Sequence, residues 1–160
     1  MAYEKIIFVC TGNTCRSPIA EALYKSMTAP EMTPAISRGT VVLFPEPVNP
    51  KAEMVLANHN LSLMHHSSCQ LTQDDLSDAT LVLTMTEKQK ALILESYPGD
   101  YDCFAIKEFN GEFGDVVDPY GGTLLDYEEC YNELARLIRK TVYRLDDEAS
   151  NKDQNTETEN

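Results

Sequence analysis

The stretch Lys5-Ile-Ile-Phe-Val-Cys-Thr-Gly-Asn-Thr-Cys-Arg-Ser-Pro18 decides the fold that we expect of this chain. Its first half is a short apolar run rich in β-branched residues, which predicts a buried strand over residues 5–9. Ser17 is a favourable N-cap and Pro18 suits the first helical position, so a helix is predicted to begin there. The polar residues 10–17 therefore form a loop at the carboxyl end of a strand.

Further strands and helices follow in alternation. The patterns predict strands over residues 35–42, 80–85 and 103–106, and helices over residues 50–58, 72–76, 86–98 and 124–145, with Thr72 and Thr86 as N-caps. This alternation implies an α/β fold, with a parallel sheet of four strands and helices on both faces. Parallel sheets bind ligands outside the carboxyl ends of their strands, and two polar loops fall there, residues 10–17 and residues 110–122.

Composition limits what the protein can bind. Its 160 residues suggest one domain, and the 42% of hydrophobic residues are enough for one compact core. Lys and Arg number 13 against 26 Asp and Glu, a formal net charge of −13. Nucleic acid is excluded as the main ligand and an anionic membrane surface is disfavoured, because this protein would be repelled by a polyanion.

The acidity is partly concentrated at the end of the chain. Residues 146–160 hold six acidic residues, one lysine and no apolar side chain larger than that of alanine. Such a segment cannot offset the entropy lost on ordering. We therefore predict a domain over residues 1–145 and a disordered acidic tail over residues 146–160.

The sequence carries no evident targeting signal. Its N-terminus lacks a charged region followed by a long apolar run, and no stretch approaches the roughly 20 apolar residues of a membrane helix. The five cysteines show neither a disulfide framework nor the spacing of a zinc site. We therefore expect a cytoplasmic protein with reduced thiols, and the sequence leaves its oligomeric state open.

The loop over residues 10–17 has the composition of an anion-binding site. Between a strand and a helix, successive backbone N–H groups can point inward, with the helix N-terminus behind them. Gly12 allows an unusual backbone angle, and Asn13 tolerates a left-handed one. We therefore predict a phosphate-binding loop after the first strand.

Chemistry at this loop would centre on Cys10. The anion-binding loop, Arg16 and a hydrogen bond from Ser17 all favour its thiolate form. Arg16 can also hold two phosphate oxygens in a bidentate fork. A displacement further needs an acid for the leaving group and a base for the later water. Asp118 is the best candidate, and the neighbouring Tyr120 could form a wall of the pocket.

Residues 8–23, together with Asp118-Pro-Tyr120 downstream, resemble the low-molecular-weight protein tyrosine phosphatases. The resemblance extends over about residues 4–145. It implies Cys10 as nucleophile, forming a cysteinyl-phosphate intermediate, Arg16 as phosphate clamp, and Asp118 as general acid and then base. No metal or cofactor is implied, and phosphorylated proteins are the expected substrates. The phosphate-binding loop is then Thr11, Gly12, Asn13, Thr14, Cys15, Arg16 and Ser17.

The residue at position 14 bears on the substrate. Tyrosine phosphatases of this family usually have an aliphatic residue there, whereas this loop resembles a bacterial branch that acts on phosphoarginine in proteins. The hydroxyl of Thr14 offers a polar partner to a guanidinium, and Asp118 with an acidic surface suits a guanidinium leaving group. We expect phosphoarginine as the substrate and phosphotyrosine as the alternative. Tyr120, the second specificity candidate, is aromatic in both branches, and Arg38 stands where the family usually has Ala.

Two other functions share part of this pattern. Arsenate reductases of the same fold use a similar loop but need two further cysteines on a mobile segment. Here Cys69, Cys103 and Cys130 are widely separated in the sequence. A module that only binds phosphoproteins would be expected to lack the nucleophile or the acid, yet Cys10 and Asp118 are both present. Hydrolysis is therefore favoured over both.

The sequence also predicts roles for four residues outside the catalytic set. Cys15 is near enough to Cys10 to serve as its redox partner, joined to it reversibly by peroxide; the alternative is that Cys15 only packs in the core. His66 is predicted to form a structural hydrogen bond rather than to take part in catalysis. Tyr127 and Tyr131 lie at positions i and i+4 of the last predicted helix, and we expect them to pack in the core.

Overall fold

The computed structural model describes the backbone of residues 3–157 and the side chains of residues 3–148. The elements in chain order are β1 (Lys5–Cys10), α1 (Arg16–Met27), β2 (Ala35–Gly39), α2 (Pro50–Asn58), β3 (Thr80–Thr84), α3 (Glu87–Ser96), β4 (Asp102–Ala105), α4 (Ile106–Phe109) and α5 (Leu124–Glu157), with a 3₁₀ helix at Gln73–Asp75.

The four strands form one parallel sheet in the order β2-β1-β3-β4. β1 pairs with β2 on one side and with β3 on the other, and Cys10 lies opposite Gly39 at the carboxyl edge. Buried apolar residues fill both central strands, which is typical of parallel strands covered on both faces. The predicted four-stranded parallel sheet is therefore confirmed.

Helices cover both faces of the sheet, as predicted. On one face Ile6, Phe8 and Leu83 belong to a core cluster that also contains Leu23 of α1 and Leu134 of α5. The opposite face is smaller. There Ile7, Val9 and Val82 pack with Ile93 of α3 and with Leu71, Tyr101 and Cys103. The alternation of side chains along each strand thus divides the core into two layers.

The helix starts agree only in part with the sequence pattern. Thr86 caps α3 as predicted, because its side chain accepts a hydrogen bond from the backbone N–H of Gln89. The prediction of Ser17 as an N-cap was wrong. Helix α1 begins at Arg16 with Cys15 at the cap position, and Ser17 lies inside the first turn. Its hydroxyl lies 2.9 Å from the thiol of Cys10 instead.

Helix α5 runs through Glu157, beyond the predicted end at residue 145. An existing helix can be extended by polar residues without a new nucleation step, which accounts for the difference. The division into a domain over residues 1–145 and a tail over residues 146–160 stays a prediction, and residues 158–160 lie outside the described residues. Among the residues described, no helix combines the length and hydropathy needed to cross a membrane.

Candidate active site

The two polar loops meet at the carboxyl edge of the sheet. Arg16, which is only 5% exposed, donates a hydrogen bond of 2.9 Å from Nη1 to the backbone carbonyl of Val116. Its Nη2 lies 3.7 Å from Oδ2 of Asp118. The structure thus brings together two of the predicted site residues that are far apart in the sequence, and it seats the guanidinium against the loop over residues 110–122.

Cys10 lies at the end of β1 with its thiol against the first turn of α1. Its Sγ is 2.9 Å from Oγ of Ser17. The Ser17 oxygen also accepts a hydrogen bond of 2.9 Å from Nδ2 of Asn13. The Ser17 hydroxyl also lies 3.4 Å from the backbone carbonyl oxygen of Arg38, so its proton has a second possible acceptor at a longer distance than the sulfur. The thiol and the hydroxyl are thus within hydrogen-bonding distance, and the support of a Cys10 thiolate by Ser17 stays a prediction.

Asn13 is fully buried and holds the loop from inside. Its backbone is left-handed, with φ of 56°, as the sequence predicted. Its side chain donates to Ser17 and to Oγ of Ser37, and its Oδ1 accepts from the backbone N–H of Cys69 at 3.0 Å. The expectation of an unusual angle at Gly12 was wrong, since the left-handed position of this loop falls on Asn13 instead.

His66 supports the same loop from a connector between α2 and β3. Its Nε2 lies 2.7 Å from the backbone carbonyl oxygen of Asn13. The prediction of a structural hydrogen bond rather than a catalytic role agrees with this contact.

The end of β2 approaches the loop closely at Gly39. A β-carbon there would lie 2.7 Å from the carbonyl oxygen of Thr11 and 3.1 Å from the β-carbon of Asn13. The first contact, to a backbone atom, is closer than a β-carbon tolerates, so glycine is required for space. Next to it Arg38 pairs with Asp75 at 3.3 Å, which accommodates the departure from Ala at this position.

Gln89 joins the phosphate-binding loop to α3. Its Nε2 donates to Oγ1 of Thr11 at 3.1 Å, while its Oε1 accepts from the backbone N–H groups of Met85 and Thr86 at 3.0 Å. Sequence reasoning missed this residue. Its position three residues after the N-cap Thr86, in a capping box, was the signal that could have found it.

The two candidate specificity residues differ in exposure. Thr14 is partly buried, and its backbone carbonyl accepts a hydrogen bond of 2.8 Å from the N–H of Asn49. Tyr120 is 81% exposed, and its backbone N–H donates to Oδ1 of Asp118 at 3.0 Å. Asp118 itself has a side chain that is 53% exposed, so solvent and substrate can reach the carboxylate.

Cys15 faces a different cysteine from the one predicted as its partner. Both Cys15 and Cys130 are buried free thiols in the same core cluster. A hydrogen bond with Cys130, followed by burial, raises the pKa of the Cys15 thiol. In this state Cys15 is therefore a protonated packing residue between α1 and α5, and the predicted redox pairing with Cys10 stays a prediction. Tyr127 and Tyr131 are buried beside it in the same core cluster, as predicted.

These side chains form a chemically complementary set. A thiol lies against the first turn of a helix, the same turn carries a buried guanidinium, and a solvent-accessible carboxyl lies against that guanidinium. Transfer of a phosphoryl group uses a nucleophile, fixed positive charge for the developing negative charge, and a group that carries a proton.

Comparison with known proteins identifies the family. The model of the family described as low molecular weight phosphotyrosine protein phosphatase matches residues 5–151. The chain belongs to this family, and it is a phosphoprotein phosphatase with the family's α/β fold.

Relatives of both substrate classes are similar to this chain. A protein-arginine-phosphatase of Bacillus subtilis (strain 168) is 41% identical over 145 residues, which is 88% of this chain and 95% of the relative. A low molecular weight protein-tyrosine-phosphatase, PtpB, of Staphylococcus haemolyticus is 38% identical over 136 residues, 85% of this chain and 96% of the relative.

Two solved structures of an arginine phosphatase are also similar to this chain. The arginine phosphatase YwlE from Geobacillus stearothermophilus superimposes with a TM-score of 0.82 at 36% identity, covering 91% of this chain and 94% of that one. A Cys-to-Ser variant of YwlE with a phosphorylated active-site serine has a TM-score of 0.82 at 38% identity, covering 89% and 95%.

Proposed function

We propose that this protein hydrolyses phosphoarginine in proteins, with Cys10 as the nucleophile. The observation that carries the proposal is the thiol of Cys10 at 2.9 Å from the Ser17 hydroxyl, in a loop whose Arg16 reaches Asp118. The phosphorylated active-site serine in the YwlE variant supports a phosphoenzyme intermediate on the nucleophile of that relative.

The reaction proceeds in two displacements. In the first, the thiolate of Cys10 attacks phosphorus, a phosphorus–sulfur bond forms and the phosphorus–nitrogen bond to the guanidine breaks. Asp118 gives its proton to the departing nitrogen. In the second, water attacks the cysteinyl-phosphate, and Asp118 takes a proton from that water. Inorganic phosphate leaves and the thiolate is restored, while Arg16 holds the phosphoryl oxygens throughout.

Thr14 supports arginine as the substrate residue. Its hydroxyl gives the loop a polar group, where an aliphatic residue would suit an aromatic ring better. Once Asp118 has given up its proton, its carboxylate favours a cationic guanidinium as the leaving group. Two relatives that are named as protein-arginine-phosphatases add support. In this proposal the backbone of residues 11–17 binds the phosphoryl group.

Phosphotyrosine is the second candidate, and one observation favours it. Tyr120 presents an aromatic ring that is 81% exposed next to Asp118, where it could stack on the ring of a phosphotyrosine. The relative PtpB is named as a tyrosine phosphatase.

Two peptides of the same sequence, one with phosphoarginine and one with phosphotyrosine, separate the candidates. We expect a higher kcat/KM for phosphoarginine, and we expect Thr14→Ile to move the ratio of the two values toward phosphotyrosine by about tenfold or more, since it exchanges a polar for an apolar contact. A preference of the unmodified protein for phosphotyrosine would overturn the assignment of arginine.

Cys10→Ser serves as the control for the chemistry itself. It removes the thiolate while keeping a side chain of similar size. Loss of aryl phosphate hydrolysis in this variant is expected, and equal rates for both proteins would contradict the role of Cys10 as nucleophile.

A further inference from the structure

A groove of about 740 Å³ opens beside the candidate active site and continues from it. Thr11, Arg16 and Asp118 belong to the site and also line the groove. We name this cavity the α3 groove, because its far wall is one face of α3, formed by Lys88, Ala91, Leu92 and Glu95. Val41 and Val117 also line it.

The four residues of the far wall follow the spacing of a single helix face. They lie at positions i, i+3, i+4 and i+7 of α3. Since α3 begins at the carboxyl end of β3, Lys88 is nearest to the phosphate-binding loop. Glu95 is seven residues further along, about 10 Å at the rise of an α-helix. The groove therefore leads away from the site along the helix, from Lys88 past an apolar wall to Glu95, with Asp115 and Asp118 also lining its near end.

The walls of the α3 groove are open to a ligand. Leu92 is 44% exposed, Val41 56% and Val117 74%. These apolar side chains face a cavity that is continuous with the site instead of being covered by the protein. In the part of the chain that the structure describes, neither Lys88 nor Glu95 has an ion-pair partner. Both charges are therefore free to meet a ligand.

We propose that the α3 groove binds the residues of the substrate protein adjacent to the phosphorylated side chain. This inference rests on the proposed function, since its starting point is a phosphorylated residue at Cys10. An extended chain advances about 3.3 Å a residue, so three residues reach from Lys88 to Glu95. An apolar residue lies against Leu92, between the two valines, and a basic residue three positions from the phosphorylated one pairs with Glu95.

Lys88 adds a second selection at the near end of the α3 groove. In this register its ammonium lies level with the phosphorylated residue and attracts the dianionic phosphoryl group. The groove thus selects by the order of charges along the substrate segment, and not by net charge alone.

The test measures binding of peptides to protein with the Cys10→Ser change, which separates recognition from hydrolysis. Peptides centred on phosphoarginine or phosphotyrosine carry Lys or Glu three residues before or after the centre. We expect roughly threefold tighter binding of a Lys peptide than of its Glu counterpart, the size typical of an exposed ion pair. Glu95→Lys, added to the same background, should reverse that preference.

Glu31→Lys is the matched control, because it makes the same charge change at an exposed residue in the loop between α1 and β2. It should keep the preference for Lys. Two outcomes would overturn the assignment of Glu95. One is that adding Glu95→Lys to the Cys10→Ser protein leaves the ratio of its affinities for the Lys and Glu peptides unchanged. The other is that Glu31→Lys reverses the preference in the same way. Absence of aryl phosphate hydrolysis by the unmodified protein would instead count against the proposed function, and leave the peptide preference as a separate result.

Discussion

Asn13 shows how much of the site depends on one side chain. It is the left-handed residue of the phosphate-binding loop, it is fully buried, and it bonds to α1, to β2 and to the connector before β3. The contacts with Ser17 and Ser37 are buried, and breaking either one would leave a buried polar group without its partner, which is costly. The hydroxyl of Ser17 is fixed by this set, and through it the environment of the Cys10 sulfur.

Ser17→Ala tests the hydrogen bond between Ser17 and the sulfur. The change removes the hydroxyl at 2.9 Å from Cys10 Sγ, and with it the acceptor of the Asn13 amide. A hydrogen bond to a charged group contributes about 1.5–3 kcal/mol, so kcat/KM for an aryl phosphate is expected to fall about tenfold to a hundredfold. The measurement is steady-state hydrolysis with the protein concentration fixed by active-site titration.

Ser26→Ala makes the same chemical change further along α1. The hydroxyl of Ser26 bonds to the backbone carbonyl of Leu23, within the helix and away from the thiol. Its kcat/KM should match that of the unmodified protein. A loss of equal size in both variants would show that the hydroxyl of Ser17 has no particular role.

For single residues, the sequence predicted which residues form the site better than it predicted what they contact. The run Cys-Thr-Gly-Asn-Thr-Cys-Arg-Ser was enough to indicate a phosphate loop and a left-handed Asn13. Gln89 and Val116, which fix Thr11 and Arg16, lie 78 and 100 positions away and follow from the strand order. Local patterns carry no information on such contacts, because they depend on which strand ends become neighbours.

The loop over residues 110–122 is the element that carries the candidate acid, and an ion-pair cluster fastens its start to α5. Arg136 makes two hydrogen bonds to Glu112, at 2.6 and 3.0 Å, and Lys140 makes one at 2.7 Å. These two cations lower the pKa of the Glu112 carboxyl from 4.5 to about 2, with Arg136 as the larger cause.

The pH dependence of the stability of Glu112→Gln tests whether this ion-pair cluster stabilises the fold. Because the pKa is lower in the folded state, the carboxylate stabilises the fold above pH 4.5, and this contribution is lost as the pH falls toward 2. The variant should therefore unfold at slightly lower urea concentration than the unmodified protein at pH 7. The difference should shrink steadily between pH 4.5 and 2, and added salt should reduce it at neutral pH.

Glu31→Gln provides the comparison, since Glu31 is exposed and lies outside this cluster. It should unfold like the unmodified protein at every pH. A difference for Glu112→Gln that stays constant down to pH 2 would mean that its effect comes from packing and not from charge.

Element boundaries show where sequence patterns stop being informative. The buried strands β1 and β3 were predicted within one or two residues, because a short run of β-branched residues between turn signals has few alternatives. The start of α1 was displaced, since the side chain of Ser17 bonds to a thiol and an amide instead of capping the helix. The short helix α4 was missed, because four residues carry no readable period.

The whole molecule combines a strongly negative charge with a site built for anions. Its net charge of −13 repels phosphate at long range, while the loop N–H groups, the start of α1 and the buried Arg16 attract it at short range. Long-range repulsion is screened by salt within about 10 Å at 0.1 M, whereas the buried contacts are screened much less. The site thus favours an anion that is delivered by a protein segment over a free one.

Inorganic phosphate should nevertheless stabilise the fold, because it binds only the folded loop. At ten times its dissociation constant a ligand adds about 1.4 kcal/mol, which corresponds to a rise in Tm of about 3–5 °C for a protein of this size. Thermal unfolding in phosphate and in chloride at equal ionic strength separates this effect from the screening of self-repulsion. Arg16→Lys keeps the positive charge but loses the planar guanidinium that can bind two phosphate oxygens. Phosphate should therefore raise the Tm of this variant by less than that of the unmodified protein. Equal rises in phosphate and chloride would mean that the loop holds no anion in the unmodified protein.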